Sequence, residues 1–157
     1  MKKDTASRAL TLYNIGELYV RMNRIEEAKA YIDESLTIAW RDGNRRVVAF
    51  DYWSLGAIRR KEKDYKTALD FYDGAEKIWR SLGETRALIQ TYQDIAEIYR
   101  EQRNYAEAEK FLMKGMQLAT LIKVPDLQVN NYLRLARLDS IRGNYNRALY
   151  YLSRHNS

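Results

Sequence analysis

The chain has 157 residues, 46% hydrophobic and 31% charged, with a formal net charge of +6. That balance belongs to a globular domain and excludes a disordered chain. The absence of cysteine excludes disulfides, thiolate metal sites and a cysteine nucleophile, and seven glycines with one proline leave little punctuation for a many-turned β-fold.

The N-terminus reads Met1-Lys2-Lys3-Asp4-Thr5 and passes directly into a helical pattern. No apolar h-region follows the basic residues, so the expectation is a cytoplasmic chain without a signal peptide. No stretch reaches the roughly 18 apolar residues of a membrane span.

The first helical pattern is Leu12, Ile15, Gly16 and Tyr19, one face of a helix. Met22-Asn23-Arg24 follows as a polar turn. Ile25, Ala28, Ile32 and Leu36 make the second pattern, closed by Asp42-Gly43-Asn44, where Gly43 suits a helix C-terminus. The same plan then recurs every 40 residues without insertion or deletion. Gly16, Gly56, Ala96 and Ala136 share one column; Ala28, Ala68, Ala108 and Ala148 share another. Further columns are Ile15, Leu55, Ile95, Leu135; Leu12, Tyr52, Tyr92, Tyr132; and Ile25, Tyr65, Tyr105, Tyr145. The third row closes on Val124-Pro125-Asp126, with the proline placed for the first turn of the next helix. The last helix runs from Tyr145 to about Arg154.

The small columns have a physical cause. Antiparallel helices joined by a three-residue turn cross closely, and a larger side chain at Gly16 or Ala28 would overpack the crossing. Glu26, Glu27, Glu107 and Glu109, at or near the starts of second helices, favour the helix dipole.

These residues resemble the tetratricopeptide repeat (TPR) signature over nearly the whole chain. In the first row the match is Leu12, Ile15, Gly16, Tyr19, Ala28, Ile32, Ser35. In the second it is Tyr52, Leu55, Gly56, Ala68, Tyr72, Ala75, with Arg59 in place of the tyrosine. The third row matches at Tyr92, Ile95, Ala96, Tyr99, Ala108, Leu112 and Gly115, and the fourth at Tyr132, Leu135, Ala136, Ala148 and Leu152. The family repeat is usually 34 residues, so each hairpin here is longer. The 40-residue variant resembles repeats of bacterial peptide-sensing regulators and of certain eukaryotic scaffolds. The resemblance implies an all-α, right-handed superhelix (an α-solenoid) of four helix-turn-helix repeats, at about 5–44, 45–84, 85–124 and 125–157. It is expected to be a single domain, and a segment of a longer protein. Its final helix has no polar capping helix, so self-association through uncapped ends is a further expectation.

The resemblance also implies a concave groove lined by a second stripe of each first helix. Carried onto this sequence it gives Tyr13 and Glu17, Phe50, Trp53 and Arg60, Gln93, Glu97 and Arg100, and Leu133 and Arg137. Aromatic and arginine side chains are the types enriched in binding hot spots, and Arg60 and Arg100 suit a carboxylate or a phosphate. The carboxylate clamp of chaperone-binding TPRs needs Lys and Asn where Tyr13 and Glu17 stand, so that ligand is not implied. The asparagine that the 40-residue scaffolds often carry after the motif glycine is replaced by Glu17, Ala57, Glu97 and Arg137.

The single histidine, His155, leaves nothing for a histidine metal cluster or triad, and no phosphate-binding glycine motif occurs. No enzyme, metal or cofactor is expected. Basic residues are interleaved with acidic ones, which disfavours nucleic acid as a partner. The expectation is a scaffold that binds a protein or peptide; the alternative is the sensory module of a bacterial signal-transduction protein.

Overall fold

A computed structural model describes the backbone of residues 2–155 and the side chains of residues 8–154. Among the described residues there are eight α-helices and no strand. They are α1 (Lys2–Arg21), α2 (Ile25–Asp42), α3 (Arg45–Lys61), α4 (Tyr65–Leu82), α5 (Thr85–Glu101), α6 (Tyr105–Leu121), α7 (Pro125–Ile141) and α8 (Tyr145–His155). The fold is all-α, and the helices pair in chain order as helix hairpins of the TPR type.

Local chemistry sets the helix ends. The Asn44, Asp64 and Asn104 side chains accept from the amides of Val47, Thr67 and Glu107, capping α3, α4 and α6. Pro125 occupies the first turn of α7, where its missing N–H costs nothing. Gly43 ends α2 in the left-handed region at φ 70°, and the amides of Gly43 and Asn44 return to the carbonyls of Trp40 and Ala39. Within the hairpins the left-handed residue sits two past the helix end instead of one, at Asn23, Lys63, Arg103 and Gly143, with φ of 58°, 61°, 59° and 78°. The turn geometry therefore repeats where the residue type does not.

The chain divides into two compact units, Met1–Gly83 and Glu84–Ser157, each of two hairpins. In the first, Ala28, Ile32, Leu55 and Ile58 form a buried cluster covered by Tyr19, Val20, Ile25, Leu36 and Phe71. In the second, Ala96, Ala108, Leu112, Met116, Leu135 and Leu138 do the same beneath Tyr99, Tyr105, Phe111, Tyr132 and Tyr151. Each buried Ile or Leu contributes roughly 1.5–3 kcal/mol. The small columns are where hairpins close: a Cβ on Gly16 would lie 2.6 Å from Ile32 Cγ1, and one on Gly56 2.9 Å from the Tyr72 ring.

Glu26, Glu27 and Glu107 occupy first turns as expected. Glu109 has a different role, taking Arg142 at 2.6 Å and also Arg147. No helix among the described residues is long and apolar enough to cross a membrane.

Candidate functional site

In the first unit, α1 and α3 present the stripe picked out by helical angle. The Tyr13 ring lies 5.4 Å from that of Phe50, and Phe50 meets Trp79 edge-on at 5.0 Å. The indole of Trp79 is sealed, so this row of rings runs from the core to a half-buried phenol. Burial, reinforced by the Glu17 carboxylate, pushes the Tyr13 hydroxyl up to about 12. The Ser54 hydroxyl donates to Glu17, tying α3 to α1 beside the rings. Trp53 and Arg60 are half-buried on the same helix, with part of each side chain in solvent.

In the second unit, Glu97 organises the stripe. Arg100 donates to it from one turn further along α5, at 3.0 Å through Nε, and Arg134 of α7 lies 3.9 Å from its other oxygen. The hydrogen bond to Glu97 raises the basicity of Arg100. Leu133 and Arg137 are exposed on α7. Gln93 shares the angular position of Tyr13, Trp53 and Leu133, yet it is only 5% exposed and its Nε2 has no hydrogen-bond partner.

The structure thus joins Tyr13 with Phe50, and Glu97 with Arg100. It also reveals polar groups that the signature does not point to. Asp51 is fully buried, with Ser35 against it at 2.8 Å, and Asn131 is fully buried in the second unit. The signal was present as a column of polar residues, with Asp51, Thr91 and Asn131 buried on α3, α5 and α7 and Thr11, in the same column of α1, exposed. Among the described residues no group of three or more His, Cys, Asp or Glu is placed to hold a metal ion. The side chain of His155 lies outside the described residues.

The first unit offers rings and a half-exposed arginine, which suits apolar side chains. The second offers Arg100 and Arg134 on one carboxylate with Arg137 exposed on α7, which suits an anionic segment.

Solved structures share this architecture. BtubC (BKLC) from P. vanneervenii superposes with a TM-score of 0.83 at 15% identity, over 94% of this chain and 61% of that one. The apo form of RapI gives 0.85 at 16% identity, over 97% of this chain and 42% of that one. A signal transduction ATPase with numerous domains and a tetratricopeptide repeat sensor, from Pyrococcus horikoshii, gives 0.78 at 23% identity, over 97% and 24%. At these identities the likeness is one of fold, and this chain spans less than two thirds of each of those proteins. No curated protein matches the sequence. A family model described as the MalT-like TPR region matches residues 1–157, and the chain belongs to that family.

Proposed function

We propose that this chain is a non-enzymatic module that grips a protein or peptide on the inner stripes of its first helices. The observation that carries the reading is the Tyr13–Phe50–Trp79 row of rings with Trp53 half-exposed on the same unit. Aromatic side chains anchored in a core lose little conformational freedom on binding, which is why they concentrate binding energy. In this reading Glu17 and Arg60 border the apolar anchor site, and Arg100, Leu133 and Arg137 supply a second, basic one. Gln93 and Glu97 support that second site from beneath and beside it.

The test compares the wild type with Trp53→Ala/Arg60→Ala in a pull-down, with circular dichroism to confirm that the variant is folded. Partners lost with the folded variant are ligands of this surface. If every partner survives, the anchor lies elsewhere. A salt series separates the reading from nucleic-acid binding, whose affinity falls steeply with log salt.

A sensory role in a signal-transduction protein is the second reading. It is favoured by the family match and by the fold likeness to a protein that carries a tetratricopeptide repeat sensor. Self-association belongs to the same proposal, with a second copy as occupant of α8. Leu152 is 41% exposed at the column where Ile32 and Leu112 are buried. A strict monomer by light scattering at high concentration would exclude it.

A further inference from the structure

The second hairpin holds an open cavity of about 270 Å³ lined by Tyr52, Thr67, Asp70, Phe71 and Gly74. Tyr52 comes from α3 and the other four from α4, so the cavity lies within one hairpin and apart from the stripe discussed above. Its size suits one side-chain terminus rather than a drug-sized ligand. Trp40 stands beside it, its indole donating to the Tyr52 hydroxyl at 3.2 Å.

The third hairpin shows what such a site holds. There the equivalent rings are Tyr92 and Phe111, with centroids 5.9 Å apart and planes at 48°. Tyr52 and Phe71 repeat that pair at 5.9 Å and 46°. Over the third hairpin's pair sits the ammonium of Lys114, 4.7 Å from the Phe111 centroid and 5.8 Å from that of Tyr92. A cation in that position is held by the negative faces of the rings. Gly74 occupies the column of Lys114, and so the second hairpin keeps the rings without the side chain. Among the described residues no cation of this chain lies over Tyr52 or Phe71. At the neighbouring column the basic Lys110 of the third hairpin is replaced by Asp70, which has no ion-pair partner among the described residues.

We infer that the Tyr52–Phe71–Asp70 cavity is a seat for an alkylammonium group supplied from outside the chain. The rings face the charge and its last methylenes, Asp70 neutralises it, and the cavity between them leaves the space, with no lysine at position 74 to fill it. The occupant is an aliphatic amine, free or carried as the lysine side chain of a partner. This inference does not depend on the peptide-binding reading, because its residues and its test are separate.

The test is a nuclear magnetic resonance titration with n-butylammonium, with the neutral n-butanol as control. The Gly74 amide and the Trp40 indole resonances report on the site. Saturable shifts in the millimolar range with the amine, and none of that size with the alcohol, are expected. Asp70→Asn should weaken the amine at least about threefold, in keeping with one lost charge contact. Gly74→Lys should abolish binding by seating its own ammonium. A Cβ there meets Tyr52 Cδ2 at 2.9 Å, so Tyr52 must turn slightly. Asp70→Lys is therefore the companion variant; it leaves Gly74 intact and should also abolish binding. Acetyl-lysine methylamide separates the sources: binding comparable to butylammonium assigns a partner's lysine, and binding of the simple amine alone assigns a free amine. Equal shifts with amine and alcohol, no saturable shift, or full affinity in Asp70→Asn would overturn the proposal.

Discussion

The Ser35 hydroxyl oxygen stands 2.8 Å from Asp51 Oδ2 where α2 packs on α3, and 2.9 Å from the Ala9 carbonyl oxygen. A hydroxyl has one proton to give. The carbonyl can only accept, so both contacts of the hydroxyl are hydrogen bonds when Ser35 donates to Ala9 and a protonated Asp51 donates to Ser35. The surroundings favour that state. Asp51 is fully buried, its Oδ1 has no hydrogen-bond partner, and the charged groups acting on it are the carboxylates of Asp33 and Glu17. Burial first, and those carboxylates next, raise its pKa from 3.8 to about 7.

A carboxyl that holds its proton more tightly when folded makes stability fall as pH rises, because the folded state binds more protons than the unfolded one. The loss begins near the ordinary aspartate value and is complete just above neutrality. Urea denaturation should therefore show the chain weaker at pH 8 than at pH 5, by roughly 2–4 kcal/mol from this group at about 1.4 kcal/mol per pH unit. Asp51→Asn, which installs the residue found at the same column in Asn131, should flatten that slope. A variant that keeps the wild-type slope would assign the pH dependence to another group.

Gly56 and Tyr72 form a pair whose fit is testable by its sign. A Cβ at Gly56 would lie 2.9–3.1 Å from the Tyr72 ring, and the ring is sealed in the core. Gly56→Ala alone should destabilise, since overpacking of about 1–3 kcal/mol exceeds the roughly 1 kcal/mol gained in helix propensity. In the third hairpin the same columns hold Ala96 and Leu112. In a Tyr72→Leu background, Gly56→Ala should therefore stabilise by about 0.5–1 kcal/mol. Thermal melts of the four proteins decide it. Ala68→Leu, at a position with no solvent exposure, should cost about 1–3 kcal/mol without any such rescue.

What could be read from the sequence follows the same division. The columns of alanine at 28, 68, 108 and 148 were legible because close helix crossing restricts side-chain size directly. Pro125 and Gly43 were legible because only certain backbones suit them. Lys63 and Arg103 were not, since nothing in a lysine or an arginine announces a left-handed φ; only their column, shared with Gly143, does. The angular rule names a first-helix stripe but carries no measure of its depth. Tyr13, Trp53 and Leu133 on it retain exposure, whereas Gln93 is buried, because exposure depends on how far neighbouring side chains reach. The Asp70 seat was hidden because its signal is the loss of a residue, Gly74 for Lys114, and not a motif.

The turn at Lys63 offers a stabilising change. A non-glycine residue in the left-handed region costs roughly 1–2 kcal/mol, against about 0.5–1 kcal/mol for the greater freedom of glycine in the unfolded chain. Lys63 is exposed at φ 61°, so Lys63→Gly should raise stability by about 0.5–1 kcal/mol, and Arg103→Gly likewise. Asn23→Gly should gain less, because asparagine tolerates this conformation. Gly143→Ala should lose stability. A lower melting temperature for Lys63→Gly would mean that the lysine side chain contributes more than its exposure indicates.

Glu109 should show the opposite pH behaviour from Asp51. It accepts from Arg142 at 2.6 Å and from Arg147, and Arg147 also lies 3.5 Å from Asp139 of α7. Burial opposes ionisation, but the two guanidinium hydrogen bonds prevail and hold the carboxyl below its usual value. A group with a depressed folded pKa contributes stability above its unfolded pKa and loses it as pH falls through the folded value. Glu109→Gln should therefore cost about 1 kcal/mol at pH 7 and low salt, a figure kept small because the arginines are partly solvated. The cost should shrink in high salt and vanish in acid, below the ordinary glutamate range, where the wild-type carboxyl is itself protonated. A cost that persists unchanged at acid pH would mean that Glu109 acts through packing, with the ion pairs incidental to it.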